Sequence, residues 1–319
     1  MPKIAITALV PPELIFACGG EPFDVNNVIP ASKKTPRNKL CAWTAIWQEM
    51  LVKREQKVDS LIVVAGGDCH NALVDGQKAA MSGIPTHFFF YPFDGDAAYL
   101  ESQLYKLSDF LGNIEYPEKF REIEKLKKIG QQIDKKRLSG KISSVDAFCI
   151  LVSFSDLQGD LNAFQKAIAE VKESDIEFNN RVALIGVPPI YHDFHEVAQS
   201  LDLQIVFDEL PYEFIRHSGV NIKKVARDYC DYTFARPLDF RIGFLQKELK
   251  KRKVDGIYRI KRGVAKLLEK FIKDNTYGFA IRKPLRKVYQ TTGMQSIPEH
   301  HVNRGIGLRG HRIKRGVAL

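Results

Sequence analysis

The run Gly66-Gly67-Asp68-Cys69-His70 sets a thiol and an imidazole behind two glycines, directly after the apolar stretch 60–65 and before a helical pattern at 71–81. In an open parallel sheet, ligands bind beyond the carboxyl ends of the strands, where such a turn would lie. A cysteine at a helix N-terminus is biased toward the thiolate, the form that binds metal or attacks an electrophile. Paired glycines let the backbone approach a bulky group closely. The competing reading is an ordinary strand-to-helix turn that tolerates a cysteine. Cys41 follows the polar loop Lys33-Lys34-Thr35-Pro36-Arg37 and starts a helical pattern at 38–53, so it too sits near a helix N-terminus. Taken alone, it is equally well a small buried residue.

Three further cysteines complete the set of five. Cys18 and Cys149 are flanked by apolar residues and read as core; Cys230, in Asp-Tyr-Cys-Asp-Tyr, ends a predicted helix and is ambiguous. The cysteines are odd in number and widely spaced, unlike a secreted disulfide framework, and no C-x-x-C pair offers a compact zinc or ferredoxin-type site. Any cluster must be assembled from distant thiols. His192 and His195, with Asp193 and Glu196, open another helical pattern after Pro188-Pro189. Two histidines at i and i+3 can share a metal, but they need a third ligand. Acidic groups in a first helical turn are also what the helix dipole favours, and that reading is preferred. No Walker P-loop, G-x-G-x-x-G, G-x-S-x-G or H-E-x-x-H is present, which argues against ATP hydrolysis by this chain.

The elements that must position these groups alternate. Strand-like runs at 4–9, 60–65, 84–91, 181–187, 203–207 and 254–258 are interleaved with helical patterns at 13–18, 38–53, 71–81, 94–110, 192–201, 222–229 and 240–251. A charged helix at 115–136, with helical patterns at 145–154 and 161–171, reads as a connection between the two series. Such β-α alternation in two blocks predicts an α/β protein with two doubly wound parallel-sheet (Rossmann-like) domains joined by a helical segment. The expected division is 1–115, a helical connection at 116–178, a second α/β domain at 179–258 and an atypical basic tail at 259–319.

The 319 residues carry a net charge of +10, unevenly spread. From Gly256 onward there are 15 Lys and Arg against 3 Asp and Glu, whereas residues 1–255 hold 33 basic and 35 acidic groups. A binding argument from whole-chain charge would therefore misplace the basic character. Beyond Tyr258 the periodicity decays; 261–274 could form a basic helix, and Arg-Ile-Lys-Arg-Gly-Val-Ala occurs at both 259–265 and 312–318. No apolar run approaches the roughly 20 residues of a membrane helix, and the N-terminus lacks signal-peptide features, so a cytoplasmic setting is expected.

Several of these segments, in order, resemble the 2-hydroxyacyl-CoA dehydratase and benzoyl-CoA reductase family over about residues 1–257. Val10-Pro11-Pro12-Glu13-Leu14-Ile15-Phe16-Ala17-Cys18-Gly19 resembles its opening motif. Cys41 after a basic loop, and Cys69 after Asp59-Ser60-Leu61-Ile62-Val63-Val64, resemble its first two cluster cysteines. Residues 181–187 resemble the strand opening its second domain, and Lys253-Val254-Asp255-Gly256-Ile257 the strand near its end. The resemblance implies a [4Fe-4S] cluster held by three cysteines. It also implies a partner, either a homologous second subunit or another copy in a homodimer. A separate ATP-dependent activator would deliver one electron for reduction of an acyl-CoA thioester. The third family cysteine is absent: its place holds Tyr258-Arg259-Ile260-Lys261-Arg262. Cys230 could supply a third thiol if the fold brings it near. The altered charge and duplicated heptapeptide fit a replaced or frameshifted C-terminus.

Three functions compete. One is an iron–sulfur subunit of a dehydratase-like or benzoyl-CoA reductase-like enzyme, and another a cluster-free partner or scaffold subunit of that family. The last is a binder of acidic partners through the tail; nucleic acid is not the expected one, because the tail carries no recognised motif for it.

Overall fold

Alternating strands and helices build two all-parallel sheets. The computed structural model describes residues 1–7, 9–29, 41–65, 70–188 and 193–259. In the first sheet, β1 (Lys3–Ile6), β2 (Glu21–Asp24), β3 (Ser60–Val64) and β4 (Thr86–Phe89) stand in the order β2-β1-β3-β4. Every neighbouring pair is parallel. Helices α1 (Pro12–Ala17), α2 (Ala42–Val52), α3 (His70–Met81) and α4 (Ala97–Phe110) cover its faces. β3, Ser-Leu-Ile-Val-Val, is buried along its whole length, as a strand covered on both faces must be. Ile4, Ile6, Ile62 and Val64 pack with α1 and α4, while Ala5, Leu61 and Val63 pack with α2 and α3. The two-residue alternation of a strand thus assigns the helices to opposite faces.

Glu118–Leu138 (α5), Ser144–Val152 (α6) and Leu161–Ala169 (α7) follow. α5 is charged around most of its circumference but buries Phe120, Ile123, Leu126, Gly130 and Ile133 at helical spacing. The second sheet has the order β6-β5-β7, formed by β5 (Asn180–Ile185), β6 (Leu203–Asp208) and β7 (Gly256–Arg259), again all parallel. Helices α8 (Phe194–Ser200), α9 (Glu209–Arg216), α10 (Ile222–Tyr229) and α11 (Leu238–Lys251) complete the described chain. α8 covers Val182, Leu184 and Ile205; α11 covers Ala183, Ile185 and Phe207.

The largest core is continuous from Ile4 to Ala235: it joins one face of the first sheet to α5, α6, α9 and α10. Within it α10 packs on α4, with Ile222, Val225 and Tyr229 buried beside Leu100, Leu104 and Leu107. Burying each such side chain stabilises the fold by roughly 1.5–3 kcal/mol.

Two elements were not anticipated. β2, Glu-Pro-Phe-Asp, has no apolar run, and its Pro22 is tolerated because β2 is an edge strand. α9 starts directly at the end of β6, and its Pro211 lies in the first turn, where a missing N–H costs nothing. Cys149, expected in the core, is exposed. α6 buries Ser144, Ala147, Ile150 and Leu151, and a helix does not place Cys149 on the same face as its apolar neighbour Ile150. The basic helix suggested for 261–274 lies outside the described residues.

Candidate functional site

β1 and β3 are neighbours, yet the chain leaves them toward opposite faces: β1 leads to α1 and β3 to α3. A crevice opens between two such departures at the carboxyl edge of the sheet. At this edge Thr7 follows β1, and its Oγ1 accepts from the Val64 N–H at 3.2 Å, tying the ends of β1 and β3 together. α2 and α3 both start from this edge and pack side by side, and Thr44 in the first turn of α2 donates to Asp75 of α3 at 2.7 Å. α3 also sits close on β3: a Cβ at Gly76 would meet Val63 Cγ2 at 2.7 Å, so the approach requires glycine.

Cys41 is the N-cap residue of α2, half-buried and in extended backbone, and its carbonyl accepts from Ala45 N at 3.2 Å. The thiol therefore stands where the helix dipole favours a thiolate. Cys69, with Gly66, Gly67 and Asp68, lies outside the described residues; α3 begins at His70. Cys230 is the C-cap of α10, buried among the residues that pack on the α1 and α4 face. Its Sγ is 3.1 Å from the Arg227 carbonyl, and burial pushes the thiol up from its ordinary value. Cys41 and Cys230 thus belong to helices on opposite faces of the first sheet. Cys18 is buried, 3.8 Å from Ser108 Oγ, and burial raises its thiol as well.

An iron–sulfur cluster needs thiolate donors converging on one point. The position of Cys41 suits one such ligand. Cys230 ends a helix on the opposite face of the first sheet from α2, and among the described residues no three His, Cys, Asp or Glu side chains group closely enough to hold a metal. His192 lies outside the described residues. His195 is buried, with Nε2 2.8 Å from Asp208 Oδ1 and its ring stacked on Phe148 at 3.8 Å. It ties α8 to β6.

Sequence reasoning missed the buried polar groups around this edge. Glu13, at the start of α1, receives Lys127 Nζ at 2.8 Å and the Tyr229 hydroxyl at 2.8 Å; Lys127 also donates to the His217 carbonyl at 2.9 Å and to Tyr229. Burial pulls the Lys127 ammonium down and, with Glu13 beside it, drives the Tyr229 phenol well up. Glu213 is also fully buried, which would raise it, but Arg216 and His217 hold it down at about 2. At the end of β2, Asp24 is buried beside Asp156, and burial together with the Asp156 charge pushes its carboxyl up to about 7. At the carboxyl edge of the second sheet, Glu209 accepts from the Gly186 N–H at 2.6 Å and pairs with Arg241 at 2.6 Å. The partners in these networks are far apart in sequence, and no periodicity announces them. The only local signal is a charged residue inside an otherwise apolar helix start, as in Pro12-Glu13-Leu14.

Among the described residues, no helix is long and apolar enough to cross a membrane. Residues 7–260 match the family model described as 2-hydroxyglutaryl-CoA dehydratase, D-component. No curated protein matches the chain.

Proposed function

The chain belongs to the 2-hydroxyglutaryl-CoA dehydratase D-component family, and from that premise we propose that it is a cytoplasmic subunit of a 2-hydroxyacyl-CoA dehydratase-like or benzoyl-CoA reductase-like enzyme with the carboxyl edge of its first sheet as the working site. The observation that carries this reading is the placement of Cys41 at the N-terminus of α2, which starts from the same sheet edge as α3. Cys41 and Cys69 are the proposed thiolate ligands of a [4Fe-4S] cluster. When bound, such a cluster would supply one-electron reduction for an acyl-CoA thioester. The protein's own contribution is positional. The dipole of α2 stabilises anionic sulfur at Cys41, the tight packing of Gly76 on Val63 fixes α3, and the sheet edge beside Thr7 is the proposed seat of the acyl group. A homologous subunit or second copy and an ATP-dependent activator are the proposed partners.

A second reading is a subunit without a cluster. It is favoured by a specific observation: the family's third cysteine position is held by Tyr258 and the residues after it, and Cys230 sits on the opposite face of the sheet from α2. One experiment separates the two readings. The full chain is purified without oxygen, and iron, acid-labile sulfide and the visible spectrum are measured in parallel with Cys41→Ala and Cys69→Ala. About four irons per chain, lost in both variants, supports the cluster. No iron after reconstitution leaves the cluster-free subunit.

A further inference from the structure

The connection from β2 to α2, whose far end is Cys41, is anchored at its root to a distant and strained turn. β2 ends at Asp24, and the backbone N–H of Asp24 donates to Asp156 Oδ2 at 2.9 Å. Asn27 Nδ2 reaches the same carboxylate at 3.2 Å and Ser155 Oγ at 3.1 Å. The Asp24 carboxyl accepts from Asn26 N at 2.9 Å and from Asn26 Nδ2 at 2.8 Å, and Asn26 Nδ2 also donates to the Thr7 carbonyl at 2.8 Å. One small network thus joins the end of β1, the end of β2 and residues 155–156.

The segment on the other side is under backbone strain. Leu157, Gln158 and Gly159 are consecutive residues with positive φ, at 51°, 56° and 71°. Two of them are not glycine, and such conformations persist only when their surroundings over-determine them. Asp156 provides that restraint, with Oδ1 taking the Gln158 N–H at 3.0 Å and Oδ2 holding β2. Gly159 lies so close to β2 that a Cβ there would meet Glu21 Cγ at 2.7 Å.

The two carboxyls are buried, and among the described residues no cation is bonded to either. Other ionisable groups on these elements have contacts of their own. Lys3 of β1 lies over the Phe23 ring, Glu13 of α1 is paired with Lys127, Asp160 caps α7, and Glu21 lies against Gly159. Two carboxylates in such a site cannot both ionise without cost.

We propose that Asp24 and Asp156 form a proton-linked clamp: with one of the two carboxyls protonated the 155–159 turn grips the end of β2, and loss of that proton loosens the root of the connection that leads to Cys41. Burial and mutual repulsion both favour the protonated pair, consistent with the raised Asp24 and Asp156 carboxyls. The consequence for a cluster at Cys41 rests on the function proposed above; the clamp itself does not.

Hydrogen exchange read by mass spectrometry on the full-length protein tests it at pH 6 and pH 8, with intrinsic chemical rates divided out. For a group held near 7 that is released to an ordinary carboxylate on opening, linkage makes opening about tenfold more frequent at pH 8 than at pH 6. Peptides covering 21–29 and 153–160 should show that change, peptides from β6 should not, and Asp24→Asn should abolish it. Equal protection at both pH values, or a pH effect that survives Asp24→Asn, overturns the clamp. If Asp24→Asn does not fold, infrared spectroscopy of the native chain decides. A protonated buried carboxyl band present at pH 6 and lost by pH 8 supports the clamp, and its absence at pH 6 overturns it. Iron content is a separate readout, so a titrating clamp in an iron-free protein would sink the cluster reading alone.

Discussion

Replacing Lys127 by Met removes a cation that is buried to within 1% and leaves the equally buried Glu13 with the Tyr229 hydroxyl as its remaining bonded partner among the described residues. The ammonium makes two hydrogen bonds of 2.8 and 2.9 Å, to Glu13 and to the His217 carbonyl, and a third to Tyr229. Methionine fills nearly the same volume, so the cavity contribution is small and the cost is electrostatic. Breaking a buried pair from one side costs about 3–5 kcal/mol, whereas replacing both partners by apolar groups is often nearly neutral. Lys127→Met should therefore lower the unfolding free energy by about 3–5 kcal/mol, and Lys127→Met with Glu13→Leu should recover more than half of that. Urea unfolding followed by far-ultraviolet circular dichroism measures both, along with Glu13→Leu to close the cycle. A single-variant cost below about 1 kcal/mol, typical of a solvated pair, would refute the claim that this network is desolvated. So would a double variant no better than the single one.

The Asp24 carboxyl, raised from 3.8 to about 7, favours folding when protonated. Its contribution is complete below the unfolded value of 3.8 and is lost as pH rises to 7, at about 1.4 kcal/mol per pH unit and roughly 4 kcal/mol in total. Urea unfolding of Asp24→Asn should show that pH slope removed; parallel slopes in the two proteins would sink the assignment. Glu213, lowered from 4.5 to about 2, acts with the opposite sign: its stabilisation of roughly 3 kcal/mol is present above pH 4.5 and disappears as pH falls through 2. Glu213→Gln should therefore be destabilised at neutral pH and nearly unchanged relative to the native chain in strong acid. Gly76→Ala forces a methyl against Val63 at 2.7 Å and should cost about 1–3 kcal/mol, seen as a lowered melting temperature. A melting temperature equal to or above that of the native chain would show that α3 can shift off β3.

The fold was legible where one element is strongly patterned. Ser60–Val64 is a continuous apolar run and Ile222–Tyr229 a clean amphipathic turn pair, and both formed where the sequence placed them. Glu21–Asp24 was illegible because an edge strand of four residues with a proline carries no pattern of its own. Its strand character comes from pairing with Lys3–Ile6. Glu209–Arg216 was hidden because it follows β6 with no turn residue between them. Cys41 could be read as a helix-start thiol from its own neighbourhood. The Asp24–Asp156 contact could not, since its partners are 132 residues apart and each alone is an ordinary turn aspartate. Cys149 misled because apolar neighbours in sequence are not neighbours on a helix face.

The pairing of α4 with α10 fixes an order of events during synthesis. Leu100, Leu104 and Leu107 of α4 are covered by residues 222–229, more than a hundred residues downstream. At about 5–20 residues per second, the ribosome takes roughly 6–24 s to travel between them. For that interval the nascent chain carries a finished sheet with a leucine stripe open to water, a natural substrate for a holdase chaperone and a seed for aggregation when expression is fast. Slower translation or co-expressed chaperone should raise the soluble yield, and a chain ended before α10 should be recovered mainly as insoluble protein.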